Sequence, residues 1–399
     1  MLSPMVERLR PSPILAMAEQ TRQAVQAGHS VIDLTLGEPD FPTPEHICVA
    51  AIEAIRAGHT HYTAVNGTVA LREAIQRKFE RDNNLRYGLD EINVGCGAKQ
   101  IIYQAFAATL RPGDEVAVPI PYWSSYADMI GMFGGVVRPV PTSAENGFLA
   151  KPADLRRALN DKTRWVLFNS PSNPCGCAYS EAQLLELAEA VWSHPNQGIW
   201  VMADDIYEHI LYDGRRHATI AQVEPRLRDR TLSVNGVSKA YAMTGWRVGY
   251  SGGPRELASA MTKIQMQINS HTSAISQAAA VAALDGPQAI VAERRELFQA
   301  RRDRLIQRLE SDTPLEVVTP AGAFYLFPSC EPLLGRHTPD GQCLESDMDA
   351  AQYLLQAGVA MVPGSGFGAP GYLRMSYAAS TEQLDAAVDR LAQAIQVLT

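Results

Sequence analysis

The sequence has few cysteines, and their spacing argues against two classes of protein. Six cysteines are scattered over 399 residues, which is too sparse for the disulfide scaffold of a small secreted domain. No pair has the C-x-x-C spacing of a structural zinc site, so we expect no metal. The one close pair is Cys175 and Cys177 in a C-G-C triplet. Two structural thiols in a turn are favoured there over metal or redox work.

Long apolar runs and an excess of positive charge are also missing. No apolar stretch approaches the length of a membrane span, and the first residues lack the charged-then-apolar pattern of a secretory signal. We therefore expect a cytoplasmic protein without membrane contact. Lys and Arg number 35 against 43 Asp and Glu, a net charge of −8, which argues against a general nucleic-acid binder. A local basic pocket for an anion remains compatible with this average.

The sequence does contain enough apolar material for a large α/β protein. The composition, 46% hydrophobic and 20% charged, is that of a globular protein, and the length favours two domains. Short apolar runs are each followed by a polar or Gly-rich loop and an amphipathic helix, which predicts βα units on a largely parallel sheet buried on both faces. One helix has a predicted capping box, Ser180 with Gln183. The predicted strands are Ile92–Val94, Val116–Val118, Trp165–Phe168, Ile199–Ala203, Leu232–Val234 and Val248–Tyr250.

The pattern changes near residue 286. A charged stretch with helical periodicity, Ala292–Glu310, predicts a long helix. We predict three regions: 1–40, an N-terminal arm and part of a small domain; 41–286, the large domain; and 287–399, the rest of the small domain. The predicted fold is α/β, with a mostly parallel sheet sandwiched by helices and a smaller α/β domain built from both chain ends. Further strand-like and helical segments are predicted at Glu316–Val318, Phe324–Phe327, Met348–Ala357 and Glu382–Val397.

Polar residues collect where the predicted strands end, and open parallel sheets bind ligands at that edge. The first predicted strand runs into Gly95–Gln100, whose small residues open a helix and let backbone N–H groups hold a phosphate. The later strand ends carry Asn169–Pro174, then Asp204, Asp205 and Tyr207, and finally Ser238 and Lys239, with Arg247 eight residues beyond the lysine.

Four motifs carry a resemblance to a known family. They are L-x-L-G-E-P-D at 34–40, N-S-P-S-N-P at 169–174, D-D-I-Y-E-H at 204–209 and S-K-x-x-x-M-T-G-W-R-x-G at 238–249. In this order they resemble the class I, fold type I aminotransferases that use pyridoxal phosphate, and more narrowly the bacterial aspartate aminotransferase branch. The likeness extends from Leu9 to Ser376. It implies that region 41–286 binds the cofactor.

The resemblance implies three catalytic residues. Lys239 bonds to the cofactor aldehyde and then, as a free amine, moves a proton between the substrate Cα and the cofactor carbon C4′. Burial and nearby cations would lower its pKa for this task. Asp204 keeps the pyridine nitrogen protonated so that the ring can accept electrons, while its neighbour Asp205 suits a capping role. Tyr207 reaches the cofactor's phenolic oxygen, and Asn173 donates to the same oxygen.

The resemblance also implies a phosphate site. The guanidinium of Arg247 and the hydroxyl of Ser238 join the backbone N–H groups of Ala98 and Lys99, because a dianion needs several donors. The family often has a hydroxyl three residues before the lysine. This chain has Gly236 there, so it departs from the family at one phosphate contact.

Substrate and partner contacts follow from the same resemblance. Trp123, in P-Y-W-S-S-Y, stacks on the pyridine ring beside the substrate. Arg374 clamps the substrate α-carboxylate with a bidentate fork, assisted by Asn173 and the backbone near Gly37. Tyr62 resembles the family tyrosine that crosses a dimer interface to the neighbour's phosphate, which implies a homodimer with two shared sites.

Substrate choice is left open by the sequence. Lys99, in G-A-K-Q, matches the lysine that this branch uses for an acidic side chain. A helper hydroxyl is expected near P-S-x-T, where this chain reads P-S-P-I at 11–14; Ser12 is retained, and Ile14 replaces the threonine. Aspartate with 2-oxoglutarate is favoured over an aromatic, prephenate-type or other neutral donor.

Two other functions stay open. A cysteine-conjugate β-lyase would use the same cofactor-binding residues. A regulator that senses pyridoxal phosphate without turnover is disfavoured, because we expect no added basic DNA-binding segment.

Overall fold

The structure is a computed structural model that describes residues 4–9 and 13–399. Pro11 and Ser12, where the helper hydroxyl was predicted, lie outside the described residues, whereas Ile14 is within them. Among the helices of this part of the chain, none is both long and apolar enough to cross a membrane.

A seven-stranded sheet forms the centre of the molecule, in the order β2-β8-β7-β6-β5-β3-β4. Two smaller sheets, β1-β10 and β11-β12-β9, share no paired strand with it. The strands are β1 Ile32–Asp33, β2 Ile92–Gly95, β3 Glu115–Pro119, β4 Val136–Val140, β5 Thr163–Asn169, β6 Trp200–Asp204, β7 Thr231–Gly236, β8 Gly249–Gly252, β9 Tyr325–Leu326, β10 Val359–Ala360, β11 Val362–Pro363 and β12 Leu373–Ser376.

Helices cover both faces of the large sheet. The helices are α1 Pro4–Glu7, α2 Pro13–Gln26, α3 Glu45–Arg56, α4 Val69–Asn83, α5 Ala98–Thr109, α6 Ser125–Met132, α7 Pro152–Ala158, α8 Glu181–Trp192, α9 Ile220–Val223, α10 Arg255–Ile268, α11 Ala274–Asp285, α12 Ala289–Asp312, α13 Asp347–Gln356 and α14 Thr381–Gln396. Alternate residues of one strand enter different cores: Val166 packs with α7 and α8, and Leu167 with α5, α6 and α10. This two-residue period explains why the strands read as continuous apolar runs.

The α/β fold with a mostly parallel sheet is confirmed, and each predicted strand of that sheet forms within a few residues of its predicted bounds. Only β8 runs antiparallel to its neighbours β2 and β7. No crossover helix separates β7 from β8; a short 3₁₀ turn, Thr244–Trp246, and the left-handed Arg247 (φ 55°) fold the chain back. Without a crossover, two adjacent strands pair antiparallel.

The sequence analysis missed β4. This strand is at the sheet edge, is mostly exposed and contains Pro139, so it lacks the apolar run used for the other strands. The predicted strand Glu316–Val318 is wrong as a strand, because only Glu316 forms an isolated bridge, to Ser329. The predicted Phe324–Phe327 shortens to β9.

The helix predictions in the second half of the chain are confirmed within a few residues. Ala292–Glu310 lies inside α12, and the two later segments correspond to α13 and α14. The capping box is also present: Ser180 Oγ accepts from the Gln183 N–H, and the Gln183 side chain accepts from the Ser180 N–H.

Both ends of the chain contribute to a further hydrophobic core. Ile32 pairs with Val359 between β1 and β10, and Leu34 is buried in one cluster with Phe298 and Leu391. The division at residues 40 and 286 stays a prediction. For the site, the consequence is that the strands and loops before residue 40 and after 320 lie against the carboxyl edge of the large sheet.

Candidate active site

A cavity of about 310 Å³ lies at the carboxyl edge of β5, β6 and β7. Its size is typical of a small-molecule or cofactor pocket. Every predicted site residue except Tyr62 lines it. These residues are Gly37, Ala98, Lys99, Trp123, Asn173, Asp204, Tyr207, Ser238, Lys239, Arg247 and Arg374.

The sheet register explains why distant motifs meet there. Asn169 at the end of β5 pairs with Asp204 at the end of β6, and β7 ends at Gly236, just before Ser238 and Lys239. Parallel strands place their carboxyl ends side by side. The loops that follow each strand therefore share one wall of the cavity.

Lys239 is a half-buried side chain that faces the cavity. Its Nζ donates to the carbonyl oxygen of Gly37 at 2.5 Å. Burial, with the charges of Arg247 and Arg374 and against the opposing charge of Glu38, lowers the pKa of Lys239 to about 8. A neutral amine, which is the nucleophilic form, is thus available near neutral pH.

Asp204 is a buried carboxylate that faces the same cavity. One oxygen accepts from the hydroxyl of Tyr126 at 2.5 Å. Burial raises the pKa of Asp204 to about 6, with a contribution from the charge of Asp205 and opposition from Tyr126 and Lys239. None of the ion pairs among the described residues includes Asp204, so a cationic ligand atom would complete its environment.

Tyr126 was missed by the sequence analysis. It lies in the first turn of α6, three residues after Trp123, and its N–H donates to the Trp123 carbonyl at 3.0 Å. Its position three residues after Trp123, the predicted ring-stacking residue, could have indicated from the sequence that Tyr126 lies near the same site.

A second missed residue is Tyr325, on β9. Its hydroxyl lies 2.8 Å from that of Tyr207. Burial and this neighbour raise the pKa of Tyr207 well above its ordinary value, so Tyr207 is a hydrogen-bond donor. A Cβ at Gly37 would lie 2.5 Å from the Tyr325 hydroxyl, which explains the glycine in the L-x-L-G motif.

Arg374, on β12, is a buried cation without an acidic partner. Its side chain is 1% exposed and donates to Asn173 Oδ1 at 3.0 Å and to the Thr35 carbonyl. Its Nε has no hydrogen-bond partner in the described part of the chain. The guanidinium stacks 4.7 Å from the Tyr325 ring centre. An unpaired buried guanidinium fits an anionic ligand.

The start of α5 forms a second cationic corner. Gly97 (φ 84°) precedes Ala98, the first residue of α5, and a Cβ at Gly249 would lie 2.1 Å from the Ala98 nitrogen. Arg247 reaches across to the Cys96 carbonyl, and no ion pair among the described residues includes it. Exposed helix N–H groups with a neighbouring guanidinium suit a phosphate.

Lys99 is a further cation in the lining of the cavity. Its Nζ is 4.8 Å from the Trp123 ring centre. Burial lowers the pKa of Lys99, and the charge of Arg247 adds to this effect, while Asp128 opposes it. The cavity therefore offers separate cations to two anionic ends of a ligand.

Tyr62 does not reach this cavity within one chain. Its side chain is 92% exposed, and its ring contacts His271 with centroids 5.5 Å apart. Its predicted contact with a cofactor phosphate therefore requires a second chain.

The fold and the lysine-centred cavity are those of the class I and II aminotransferases, whose family model matches residues 29–391. The chain belongs to this family and is an aminotransferase. It is 50% identical over 389 residues to an aspartate aminotransferase of Rhizobium meliloti strain 1021, covering 97% of this chain and 94% of the relative. It is 46% identical to a probable aspartate/prephenate aminotransferase of Rhizobium leguminosarum bv. phaseoli, covering 98% and 97%.

Solved structures give the same result. The crystal structure of the aspartate aminotransferase from Rhizobium meliloti superposes with a TM-score of 0.97 at 48% identity, covering 100% of both chains. The Thermus thermophilus aspartate aminotransferase with maleate has a TM-score of 0.92 at 39% identity, covering 99% of both. Pyridoxal-phosphate dependence follows from membership of the family.

The cavity fits this cofactor on its own chemistry. A pyridine nitrogen requires an anion, which the unpaired carboxylate of Asp204 supplies. A phosphate requires several donors, which the start of α5 and Arg247 supply. An aldehyde requires an amine with a lowered pKa, which Lys239 supplies.

Proposed function

We propose that this aminotransferase holds pyridoxal phosphate on Lys239 and transfers an amino group from aspartate to 2-oxoglutarate. The observation that carries the proposal is one cavity lined by the Lys239 amine, the buried Asp204 carboxylate and the buried guanidinium of Arg374. When bound, the cofactor supplies an aldehyde for the amino group and a ring that accepts electrons released at the substrate Cα.

Three residues hold the cofactor ring in this proposal. Asp204 keeps a proton at the ring nitrogen, and Tyr126 holds the Asp204 carboxylate in place through its hydroxyl. Tyr207 donates its hydroxyl proton toward the phenolic oxygen, oriented by Tyr325, and Trp123 covers the ring face.

The corner at the start of α5 would hold the phosphate. Ser238 and Arg247 would donate from the loop after β7, and the N–H groups of Ala98 and Lys99 would donate from the helix. Thr244 also lines this corner, and it is a further hydroxyl beside the phosphate. In this chain it offsets the donor lost at Gly236.

Lys239 carries the proton transfer. With the cofactor bound, the Lys239 amine would be the base that takes the proton from the substrate Cα and hands it on. The carbonyl of Gly37 holds Nζ at the cavity wall, where it faces that proton.

Two cations select the substrate. Arg374 binds the α-carboxylate, with Asn173 and the backbone near Gly37 assisting, because its Nε has no partner in the described chain. Lys99 binds the side-chain carboxylate of aspartate. The relatives named aspartate aminotransferase support this assignment.

A prephenate-type partner is the second candidate. Ile14, Leu36 and Trp123 give the cavity an apolar wall beside Lys99, which suits a ring that also carries a carboxylate. Relatives named aspartate/prephenate aminotransferase favour the same alternative. Loss of the family threonine at Ile14 enlarges the apolar part of this wall.

We also propose a homodimer. Tyr62 is exposed and far from its own cavity, as expected for a residue that completes the neighbour's phosphate site. The exposed apolar residues Ile52 and Ile55 on α3 and Met266 on α10 are further candidates for such an interface.

A donor panel tests the proposed function. Purified protein with pyridoxal phosphate and 2-oxoglutarate is given aspartate, phenylalanine, alanine or a cysteine conjugate, and glutamate and pyruvate are measured. Aspartate should give the fastest formation of glutamate. Pyruvate without glutamate from the cysteine conjugate would indicate a β-lyase instead.

A further inference from the structure

Two thiols lie beside the substrate pocket and take no part in the proposed chemistry. The Sγ atoms of Cys175 and Cys177 are 3.4 Å apart, and both cysteines are free. The hydroxyl of Ser172 contacts both sulfurs, at 2.9 Å and 3.2 Å. The thiols thus form a compact polar cluster in a largely apolar environment.

A small cavity gives access to this cluster. It measures about 20 Å³ and is lined by Cys177 and Ser172 together with Tyr126, Asn169 and Asn173. The last three also line the main cavity. A space above roughly 10–15 Å³ holds a water molecule, so the cavity beside the sulfur of Cys177 has room for one small polar molecule.

The cluster favours a thiolate. Burial opposes ionisation of Cys175, but hydrogen bonds from Cys177 and Ser172 outweigh burial and leave its pKa below the ordinary value of a thiol. The hydrogen bond to Cys175 and burial raise the pKa of the Cys177 thiol well above its ordinary value, so Cys175 is the thiolate and Cys177 keeps its proton. A thiolate next to a second thiol is the arrangement found in redox-sensing cysteine pairs.

The loop geometry permits the sulfurs to approach. Gly176 between them has φ +65°, and the Gly176 N–H donates to the Ser172 carbonyl at 3.0 Å. The Ser172 N–H donates to the Cys177 carbonyl at 2.9 Å. These bonds hold the two cysteines in a tight turn, and a disulfide needs a separation of about 2.05 Å.

We propose that Cys175 and Cys177 are an oxidative modification site at which hydrogen peroxide converts the two thiols reversibly into a disulfide. One thiolate attacks a peroxide oxygen, the O–O bond breaks and hydroxide leaves as water after taking a proton. The second thiol attacks the resulting S–OH sulfur, and a second water leaves. Two thiols lose two electrons, and one peroxide accepts them.

Oxidation also acts on substrate binding, a consequence that rests on the proposed role of Arg374. On one side the turn is fixed, because Gly322 donates to the Gly176 carbonyl at 2.9 Å and a Cβ at Gly176 would lie 2.5 Å from Pro320. Asn173 adjoins the other side of the turn, so we expect part of the movement to reach it. Asn173 accepts the 3.0 Å hydrogen bond from Arg374, so the disulfide weakens the carboxylate site.

The test oxidises the holoenzyme with hydrogen peroxide and compares it with the Cys177→Ser and Cys343→Ser variants. Cys343 is half-buried, as Cys177 is, but lies elsewhere in the chain. Thiols are counted after denaturation, disulfides are located by peptide mass, and the KM for aspartate and the bound cofactor are measured before and after reduction.

The wild type and Cys343→Ser should each lose two thiols to a disulfide in the peptide that spans both cysteines. Their KM for aspartate should rise about tenfold, the effect of weakening one hydrogen bond to a charged group, with cofactor retained and reduction restoring both properties. Cys177→Ser should show neither change. The proposal is overturned if the disulfide maps elsewhere, if no disulfide forms, or if Cys177→Ser responds like the wild type. The thiol count and the peptide mass are measured without substrate. They therefore test the disulfide independently of the proposed role of Arg374.

Discussion

At the scale of single residues, the environment of Lys239 determines when it can react. Burial, Arg247 and Arg374 lower the pKa of its amine to about 8. Only the neutral amine attacks an aldehyde, and the neutral fraction falls about tenfold for each pH unit below the pKa.

The rate at which cofactor-free protein captures pyridoxal phosphate should therefore rise with pH up to about 8 and then level off. Stopped-flow absorbance of the lysine-bound cofactor between pH 6 and pH 10 measures this, with Lys239→Ala as the control that lacks this absorbance even if it retains cofactor through the phosphate. A rate that kept rising to pH 10 would mean that the amine titrates as an ordinary exposed lysine.

The neighbouring acids Asp204 and Asp205 should separate in function. Asp204 faces the cavity, whereas Asp205 lies 3.5 Å from His217 in a buried polar cluster. Removing one partner of a buried charge pair costs roughly 2–5 kcal/mol. Asp204→Ala should slow exchange of the substrate Cα proton by roughly 30- to 3,000-fold at an unchanged Tm. Asp205→Ala should lower the Tm with a much smaller effect on exchange; the reverse ranking would shift the assignment by one residue.

Sequence motifs singled out charged residues that line the cavity, but not the hydroxyls beside them. Lys239, Asp204 and Arg374 stand in motifs with few alternatives, and all three line the cavity. Tyr325 is brought to Tyr207 only by the fold, from 118 positions away in the chain. Local periodicity carries no information about such a contact.

At the scale of elements, the phosphate corner depends on how closely β8 approaches α5. A Cβ at Gly249 would lie 2.1 Å from the Ala98 nitrogen, whereas a Cβ at Gly245 would meet nothing within 4 Å. Any side chain at Gly249 must therefore displace the start of α5.

Gly249→Ala should raise the Kd for pyridoxal phosphate at least tenfold, about 1.4 kcal/mol, because the N–H groups at the start of α5 would no longer point toward the phosphate. Gly245→Ala is the matched control and should bind as the wild type does. Equilibrium titration by cofactor absorbance measures both. Equal affinities of the two variants would show that the phosphate does not depend on this contact.

The elements themselves were predictable where the apolar period was strong. The buried central strands and the long helix α12 follow directly from their patterns. Strand β4 was not predicted, because an edge strand needs no apolar run. The direction of β8 was not predicted either, because it depends on a turn at Arg247. Backbone turns of this kind leave little trace in hydrophobic periodicity.

At the scale of the whole molecule, the exposed position of Tyr62 bears on the proposed dimer. Suppose that Tyr62 completes the neighbour's phosphate site. When one chain of a dimer carries a Tyr62 substitution and the other a Lys239 substitution, both changes then affect the same site. The other site then has both residues intact.

Separately tagged Tyr62→Phe and Lys239→Ala chains should form hybrid dimers whose lysine-bearing site binds cofactor with wild-type affinity. Homodimers of Tyr62→Phe should bind more weakly, because each site lacks the hydroxyl. Cofactor titration of the purified hybrid decides. A hybrid with the affinity of the Tyr62→Phe homodimer would place Tyr62 at its own chain's site.

The central claim is that one cavity binds both carboxylates of a dicarboxylic substrate. Arg374 binds the α-carboxylate and Lys99 binds the side-chain carboxylate. The most direct test measures kcat/KM for aspartate and phenylalanine in Arg374→Ala and Lys99→Ala, at saturating cofactor because the Lys99 backbone also faces the phosphate. Arg374→Ala should lower kcat/KM roughly 30- to 3,000-fold for both donors. Lys99→Ala should lower it for aspartate and leave phenylalanine nearly unchanged. Equal losses for the two donors in Lys99→Ala would contradict the claim and make Lys99 part of the cofactor site alone.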